Sequence, residues 1–197
     1  EVIALEELSK LLGLEKPPLY IEAYDISNLS SSSMVAGMVV FRDGKPFKKA
    51  YKRFSIKETY FQNDYGSMQE VLRRRLLKIG NDEDEYFSRC PDLILLDGGK
   101  GHVNTVAPLL EELNLNIPLY GMVKDSKHRT RAITTGGKEI QISGFKSAFN
   151  LLTQIQDEVH RFSVDYMHRK HSKSSYKSKL TNIKGIGDKK ASKIMLY

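Results

Sequence analysis

The order of strand-like and helix-like patterns most limits the folds open to this 197-residue sequence. A helical pattern at residues 2–12 comes first, and three strand-like runs follow at residues 19–27, 34–41 and 47–56. Helix patterns then alternate with strand patterns, as helix 64–79, strand 91–97, helix 101–115, strand 118–124, a small hairpin within 125–144 and a long helix over 145–172. Such an order predicts an antiparallel meander that continues into β-α units of one mixed sheet, with helices flanking it.

The order β-β-β-α-β-α-β-α is typical of a ribonuclease H-like α/β fold. In that topology the first and fourth strands are parallel neighbours at the centre of the sheet. Asp25 lies near the end of the first predicted strand and Asp97 ends the fourth. We therefore expect the two carboxylates to emerge at the same edge of the sheet.

These two aspartates are the first candidates for chemistry. Asp25 shares its alternating face with Leu19, Ile21 and Ala23, and a buried carboxylate is costly unless it is paired. Neighbouring carboxylates repel each other unless a cation lies between them, and Mg²⁺ or Mn²⁺ prefers oxygen ligands. Such an ion at a phosphodiester activates water. The alternative is that each aspartate caps a turn or helix, as Asp64 is placed to do for helix 64–79.

His160, in "QDEVHRF", is a candidate proton carrier or metal ligand. Asp157 shares its helix face at spacing i, i+3. A structural role for His160 is the alternative.

"DGGKG" at 97–101 suggests a phosphate-binding loop around Lys100. It lacks the G-x-x-x-x-G-K-[ST] spacing, and Gly101 follows the lysine, so no hydroxyl is offered to Mg²⁺. A phosphate-loop NTPase is therefore disfavoured. Lys100 stays a candidate phosphate contact.

The charge of the chain is concentrated at one end. Nine basic and two acidic residues lie within 165–197, and this surplus accounts for the whole net charge of +7. A basic tail on a neutral body indicates a polyanion partner, nucleic acid before an anionic membrane. A solvated end is the alternative. No apolar run approaches the roughly 18 residues of a membrane helix, and Cys90, the one cysteine, fits a reducing, cytoplasmic setting.

Two basic segments are candidate DNA contacts. In the tail, "IKGIGDKKA" has the helix-hairpin-helix pattern, in which glycines let backbone N–H groups approach a phosphate. Its candidate residues are Lys184, Gly185, Gly187, Lys189 and Lys190. On helix 64–79, at least one of Arg73, Arg74 and Arg75 must face solvent or a partner. Ion pairing with Glu70 or with the acidic run 82–85 is the alternative for these arginines.

Several motifs together resemble one family. "YDISN", "NDYGSMQEVLRRR", "PDLILLDGGKG", "QDEVHRF" and the trailing hairpin follow the order of the C-terminal half of UvrC. The resemblance implies an endonuclease of bacterial nucleotide excision repair that cuts on the 5′ side of a lesion in UvrB-bound, damaged double-stranded DNA. It also implies that Asp25, Asp64, Asp97 and His160 are catalytic. The family's 3′ nuclease lies in an N-terminal GIY-YIG domain outside this chain. The family usually has His in place of Asn28.

We accordingly predict three segments: an N-terminal helix and linker at 1–18, a ribonuclease H-like endonuclease domain at 19–172, and a basic linker with a first helix-hairpin-helix unit at 173–197. Asp25, Asp97 and His160 would bind one or two Mg²⁺ or Mn²⁺ ions. The first residue is Glu rather than Met, so we expect a piece of a longer protein. The competing hypothesis is a non-catalytic DNA-binding scaffold.

Overall fold

The structure, a computed structural model, describes residues 1–30, 33–56, 63–81, 83–124, 130–142, 144–183 and 187–194. The helices are Val2–Leu12 (α1), Asp64–Leu76 (α2), Glu85–Ser88 (α3), Lys100–Glu112 (α4), Lys146–Thr181 (α5) and Asp188–Ile194 (α6). The strands are Tyr20–Ser30 (β1), Ser33–Arg42 (β2), Lys45–Pro46 (β3), Lys52–Ser55 (β4), Leu93–Asp97 (β5), Leu119–Lys124 (β6), Thr130–Thr135 (β7) and Lys138–Gln141 (β8). Two compact units comprise residues 1–163 and 164–197. The boundaries after residues 18 and 172 stay predictions.

The eight strands form one mixed sheet in the order β3-β2-β1-β5-β6-β7-β8, with β4 also pairing with β2. β5 lies between β1 and β6 and is parallel to both, whereas the other pairs are antiparallel. The predicted central, parallel pair of the first and fourth long strands is therefore confirmed. So is the predicted mixed α/β, ribonuclease H-like fold class.

Helices cover both faces of this sheet within unit 1–163. The apolar run of β5 explains why, since Ile94 and Leu96 enter the core under α2 and α4, whereas Leu93 and Leu95 enter the core under α1 and α5. All four side chains are fully buried. A strand that is apolar on both faces is stable only when both faces are covered. Burial of each such side chain contributes about 1.5–3 kcal/mol.

The predicted return strand over 47–56 is only partly correct. A 3₁₀ turn at Lys48–Ala50 separates β3 from β4, and the two short strands pair with different parts of β2. Pro46 has no backbone N–H to continue the ladder, so the edge strand is interrupted there. β1 also runs to Ser30, which places Asp25 within the strand rather than near its end.

The ends of two helices differ from the prediction. Asn63, not Asp64, caps α2, because the Asn63 side chain accepts a hydrogen bond from the Gly66 backbone N–H at 3.1 Å. Asp64 is the first residue of the helix, where its negative charge interacts favourably with the positive end of the helix dipole. α5 runs beyond the predicted end to Thr181, in a sequence with no Gly or Pro to stop it.

Candidate metal centre

The sheet brings Asp25 and Asp97 side by side. The parallel register pairs Ala23 with Leu95 and Tyr24 with Leu96, so the two aspartates are the next positions along β1 and β5. Their side chains are 9% and 8% exposed. Neighbouring strands are about 4.8 Å apart, so the two carboxylates share one poorly solvated space.

α5 adds a third group to this space. The His160 Nδ1 atom lies 3.4 Å from Asp25 Oδ2 and 3.9 Å from Asp97 Oδ2. The His160 side chain is 57% exposed, so the site opens to solvent on this side. Among the described residues, these three offer ligand atoms that all lie within 4.8 Å of one another. The structure thus brings together the three residues predicted as metal ligands.

The electrostatics show that this arrangement disfavours two bare carboxylates. Burial, with the nearby charge of Asp97, raises the pKa of Asp25 from 3.8 to about 6. His160 and Lys124 act in the opposite direction. The balance means that Asp25 is the carboxylate whose negative charge most needs a further cation.

Two residues that the sequence did not single out hold Asp97. Gln156 donates from Nε2 to Asp97 Oδ1 at 2.8 Å, and Lys124 Nζ lies 2.8 Å from Asp97 Oδ2. Gln156 is 1% exposed, and its Oε1 accepts a hydrogen bond from the Thr130 hydroxyl. Both oxygens of Asp97 are therefore fixed in direction, which is how surrounding hydrogen bonds orient a metal ligand.

A sequence signal for Gln156 was available. It lies four residues before His160, on the same face of the helix. The partner suggested by spacing i, i+3, Asp157, is exposed instead. The contact of Lys124 with Asp97 had no local signal.

Asp64 lies outside the group of three. At the start of α2 it is half-buried, and its charge acts on His102, whose pKa is nevertheless lowered by burial. The rings of Tyr65 and His102 meet edge to face at 4.7 Å between centroids. Asp64 is therefore near enough for its charge to act on His102, and its predicted catalytic role stays a prediction.

The three arginines of α2 have three different environments. Arg74 bonds to Glu70, as the alternative hypothesis expected, whereas Arg73 forms a bidentate pair with Glu112, which that hypothesis did not name. Arg75 is fully buried and lies 2.6 Å from Glu22, which is also fully buried. The prediction that Arg75 binds DNA is therefore wrong. Its position continues the apolar stripe of α2, and its guanidinium also donates to three backbone carbonyls of residues 86–89.

The remaining predicted contacts are at the surface or outside the described residues. Lys100 is exposed in the first turn of α4. In unit 164–197, Gly187, Lys189 and Lys190 are exposed and α6 begins at Asp188, close to the predicted helix start. Lys184 and Gly185 lie outside the described residues. No helix in the described ranges is both long and apolar enough to cross a membrane.

The donor set fits a divalent cation. Carboxylates suit ions such as Mg²⁺ and Mn²⁺, and an imidazole nitrogen suits transition-metal ions. Mg²⁺ binds its ligands at about 2.1 Å, so one ion between the three groups would draw together ligand atoms that lie within 4.8 Å of one another.

A parallel-centred mixed sheet with two aspartates and a histidine at adjoining positions defines a ribonuclease H-like nuclease-type domain. Residues 9–164 match the family described as the UvrC RNAse H endonuclease domain. The chain belongs to this family, as the motifs predicted.

Two curated relatives support this membership. UvrABC system protein C of Acetivibrio thermocellus is 45% identical over 207 residues, which covers 98% of this chain and 33% of that protein. The protein of the same name from Thermoanaerobacter pseudethanolicus is 48% identical, over 94% of this chain and 32% of its own length. The chain thus spans about a third of the length of the relatives that it matches. The crystal structure of human ENDOV aligns with a TM-score of 0.47 at 10% identity, over 86% of this chain and 99% of that one.

Proposed function

We propose that this chain is the metal-dependent endonuclease domain that makes the 5′ incision in bacterial nucleotide excision repair. One observation carries the proposal: the ligand atoms of Asp25, Asp97 and His160 lie within 4.8 Å of one another in a member of this family. The substrate is damaged double-stranded DNA held by UvrB, in the cytoplasm. These finer points rest on the family resemblance.

In this proposal Asp25, Asp97 and His160 hold one or two Mg²⁺ or Mn²⁺ ions. When bound, such an ion supplies a water of lowered pKa and stabilises charge on the phosphate. His160 binds through its neutral imidazole, so the site carries less negative charge than a set of carboxylates. Its exposure lets the imidazole reach the DNA strand or exchange a proton with solvent.

Gln156 and Lys124 serve Asp97 in this proposal. The Gln156 amide fixes one carboxylate oxygen, so the other is directed into the site. The Lys124 ammonium balances the negative charge and lies close enough to attract a phosphate once the carboxylate binds a cation. Asp64 completes the acidic site on the α2 side, and Lys100, Arg73 and Arg74 are proposed contacts to DNA phosphates.

The test is Asp97→Asn in the full-length protein, assembled with UvrB on lesion-containing duplex labelled at both ends. We expect the 5′ incision to fall by about 100-fold or more, the scale of losing a preorganised charge-stabilising group. The 3′ incision, expected from the N-terminal nuclease, reports loading on the lesion within the same reaction.

Asp157→Asn is the matched control, since this carboxylate is exposed on α5 one turn before His160. It should leave both incisions unchanged. A 5′ incision that persists in Asp97→Asn would refute the assignment. Calorimetric titration with Mn²⁺ separately tests the ligands, and His160→Ala should bind the ion more weakly.

One observation favours the competing scaffold function. The Lys124 ammonium already neutralises Asp97, and such an ion pair stabilises a sheet edge without any metal. A scaffold would show no Mn²⁺ binding and no effect of Asp97→Asn on incision. The nuclease should bind Mn²⁺ and should lose the 5′ incision in Asp97→Asn.

A further inference from the structure

The edge strand β4 carries a basic residue in line with the metal centre. Asp25 pairs with Gly37 across β1 and β2, and Gly37 pairs with Arg53 across β2 and β4. Directly paired residues of antiparallel strands project to the same face. Asp25 and Arg53 therefore share a face, and Gly37 places no side chain between them.

The gap at Gly37 is required by the packing of α5. A Cβ atom there would lie 2.3 Å from the Ser163 Oγ atom and 3.2 Å from the Phe162 ring. Because residue 37 has no side chain, α5 comes close to β2 and brings Phe162 beside β4. The helix that presents His160 thus also presents a ring to Arg53 two residues later.

The Arg53 guanidinium stacks on this ring. Its central carbon lies 4.0 Å from the Phe162 centroid. Tyr51 meets the other side of the arrangement, edge to face with Phe162 at 5.1 Å, and donates its hydroxyl hydrogen bond to Glu158 at 3.1 Å. The Arg53 side chain is exposed, yet its orientation is set by an aromatic pair tied to α5.

We propose that Arg53 binds a backbone phosphate of the DNA strand that enters the metal centre, a few nucleotides from the cut. Stacking uses the face of a guanidinium, and its five N–H donors lie in the plane, where they match phosphate oxygens in pairs. Two strand spacings put the Asp25 and Arg53 backbones about 10 Å apart. That distance is about three nucleotides at 3.4 Å of rise each.

This phosphate site rests on the proposed nuclease function, since it positions the strand for that reaction. It also gives the strand a direction across the sheet, from the edge at β4 towards Asp97. An arginine on one side and Lys124 on the other would hold the backbone over the three ligands.

Another arginine supplies a matched control. The Arg89 guanidinium lies 4.2 Å from the Tyr20 ring centroid and its side chain is also exposed. Tyr20 begins β1, five residues before Asp25. Arg89→Ala therefore removes the same charge and the same kind of ring contact at the start of the strand, away from Asp25.

The experiment measures binding of the 197-residue chain to a short single-stranded oligonucleotide by fluorescence anisotropy, without divalent metal. Each phosphate is replaced in turn by a neutral methylphosphonate. We expect one position to weaken binding about tenfold, the effect of one lost charge-assisted pair. Arg53→Ala should weaken binding by a similar factor and abolish the sensitivity at that position. Arg89→Ala should keep the wild-type pattern.

Arg53→Lys and Phe162→Leu separate charge from orientation. Both keep the cation, so the slope of log affinity against log salt should stay at the wild-type value, whereas Arg53→Ala should lower it by about 0.7. Both variants should bind the oligonucleotide more tightly than Arg53→Ala does and more weakly than the wild type does. Thermal melts check that each variant folds.

The proposal is overturned if no phosphate couples to Arg53, if Arg89→Ala gives the same loss, or if the wild-type chain binds no oligonucleotide. These outcomes are distinct from failure of the nuclease function, which is judged by the 5′ incision in Asp97→Asn. An active nuclease without coupling at Arg53 would refute this inference alone.

Discussion

At the scale of single residues, Asp25 shows how a functional group opposes stability. A carboxyl whose pKa is raised by folding binds its proton more tightly in the folded chain than in the unfolded one. Stability therefore falls as pH rises from about 4 to about 6, the range between the ordinary pKa and the raised one. Above that range the folded chain retains an unfavourable negative charge until a cation binds.

Asp25→Asn is accordingly expected to stabilise the metal-free chain at neutral pH. The free energy of unfolding should rise by about 2–3 kcal/mol at pH 7, because one pKa unit corresponds to about 1.4 kcal/mol. The gain should vanish below pH 4, where both states are protonated. Urea unfolding at a series of pH values measures it.

Saturating Mn²⁺ provides the control for this prediction, since an ion bound only by the folded chain stabilises it by mass action. The ion should stabilise the wild type more than Asp25→Asn. A difference between the two proteins that stayed constant from pH 4 to pH 7 would contradict the raised pKa of Asp25.

The sequence predicted the three clustered residues but not the residues that support Asp97. Asp25 stood out because it interrupts an apolar face, and Asp97 because it ends an apolar run. Lys124 is distant from Asp97 in sequence and had no local signal, whereas Gln156 could have been found from its position four residues before His160 on the same helix face. Arg75 was misassigned as a surface residue because a charged residue in an apolar stripe is rarely buried without a partner. Its partner, Glu22, lies on β1, 53 residues earlier in the sequence.

At the scale of elements, β6 packs against the turn that follows Asp97. A Cβ atom on Gly121 would lie 2.3 Å from the Gly98 carbonyl oxygen. Because that oxygen belongs to the backbone, no rotamer change can relieve the contact. The position of Asp97 therefore depends on the absence of a side chain on the neighbouring strand.

Gly121→Ala should lower the free energy of unfolding by about 1–3 kcal/mol, the usual cost of overpacking. It should also weaken Mn²⁺ binding, because the displaced turn moves Asp97. Thermal melts and calorimetry measure the two effects.

Gly99→Ala is the control for this prediction, since a Cβ atom there meets nothing within 4 Å and its φ of −85° suits any residue. If Gly121→Ala were as stable and bound Mn²⁺ as well as Gly99→Ala, the close packing would be refuted.

The order and type of the long elements could be predicted because each carries a clear period, as the run Leu93–Leu96 does for β5. The division of the return strand into β3 and β4 could not, because it depends on how Pro46 and the turn after it meet an edge of the sheet. The end of α5 was also missed. A polar, basic helix has no apolar period to follow, although nothing in its sequence stops it.

At the scale of the whole molecule, charge and chemistry are separated along the chain. The ligands lie in unit 1–163, whereas the surplus of basic residues lies within 165–197. The attraction between basic residues and DNA phosphates does not depend on the DNA sequence, and it weakens as the salt concentration rises. We infer that the second unit contributes affinity for DNA and the first contributes the reaction.

Replacing four tail lysines by Gln tests this division. The positions are Lys184, Lys189, Lys190 and Lys193. We expect weaker binding to duplex DNA and a salt slope reduced by up to about 0.9 for each lysine that contacts a phosphate. Anisotropy at several salt concentrations measures the slope.

The matched control makes the same charge change in unit 1–163, at exposed lysines away from the metal centre. These positions are Lys10, Lys16, Lys49 and Lys138. Equal slopes for the two quadruple variants would show that the location of the tail charge is incidental.

The wide separation of Asp25 and His160 along the sequence also has a consequence for how the protein is made. The ligands extend from Asp25 to His160, and a ribosome adds about 5–20 residues per second. Roughly 7 to 27 seconds therefore separate the synthesis of the first ligand from that of the last. Under the proposed function, a nascent or truncated chain that ends before His160 lacks part of the centre, and we expect it not to cut DNA.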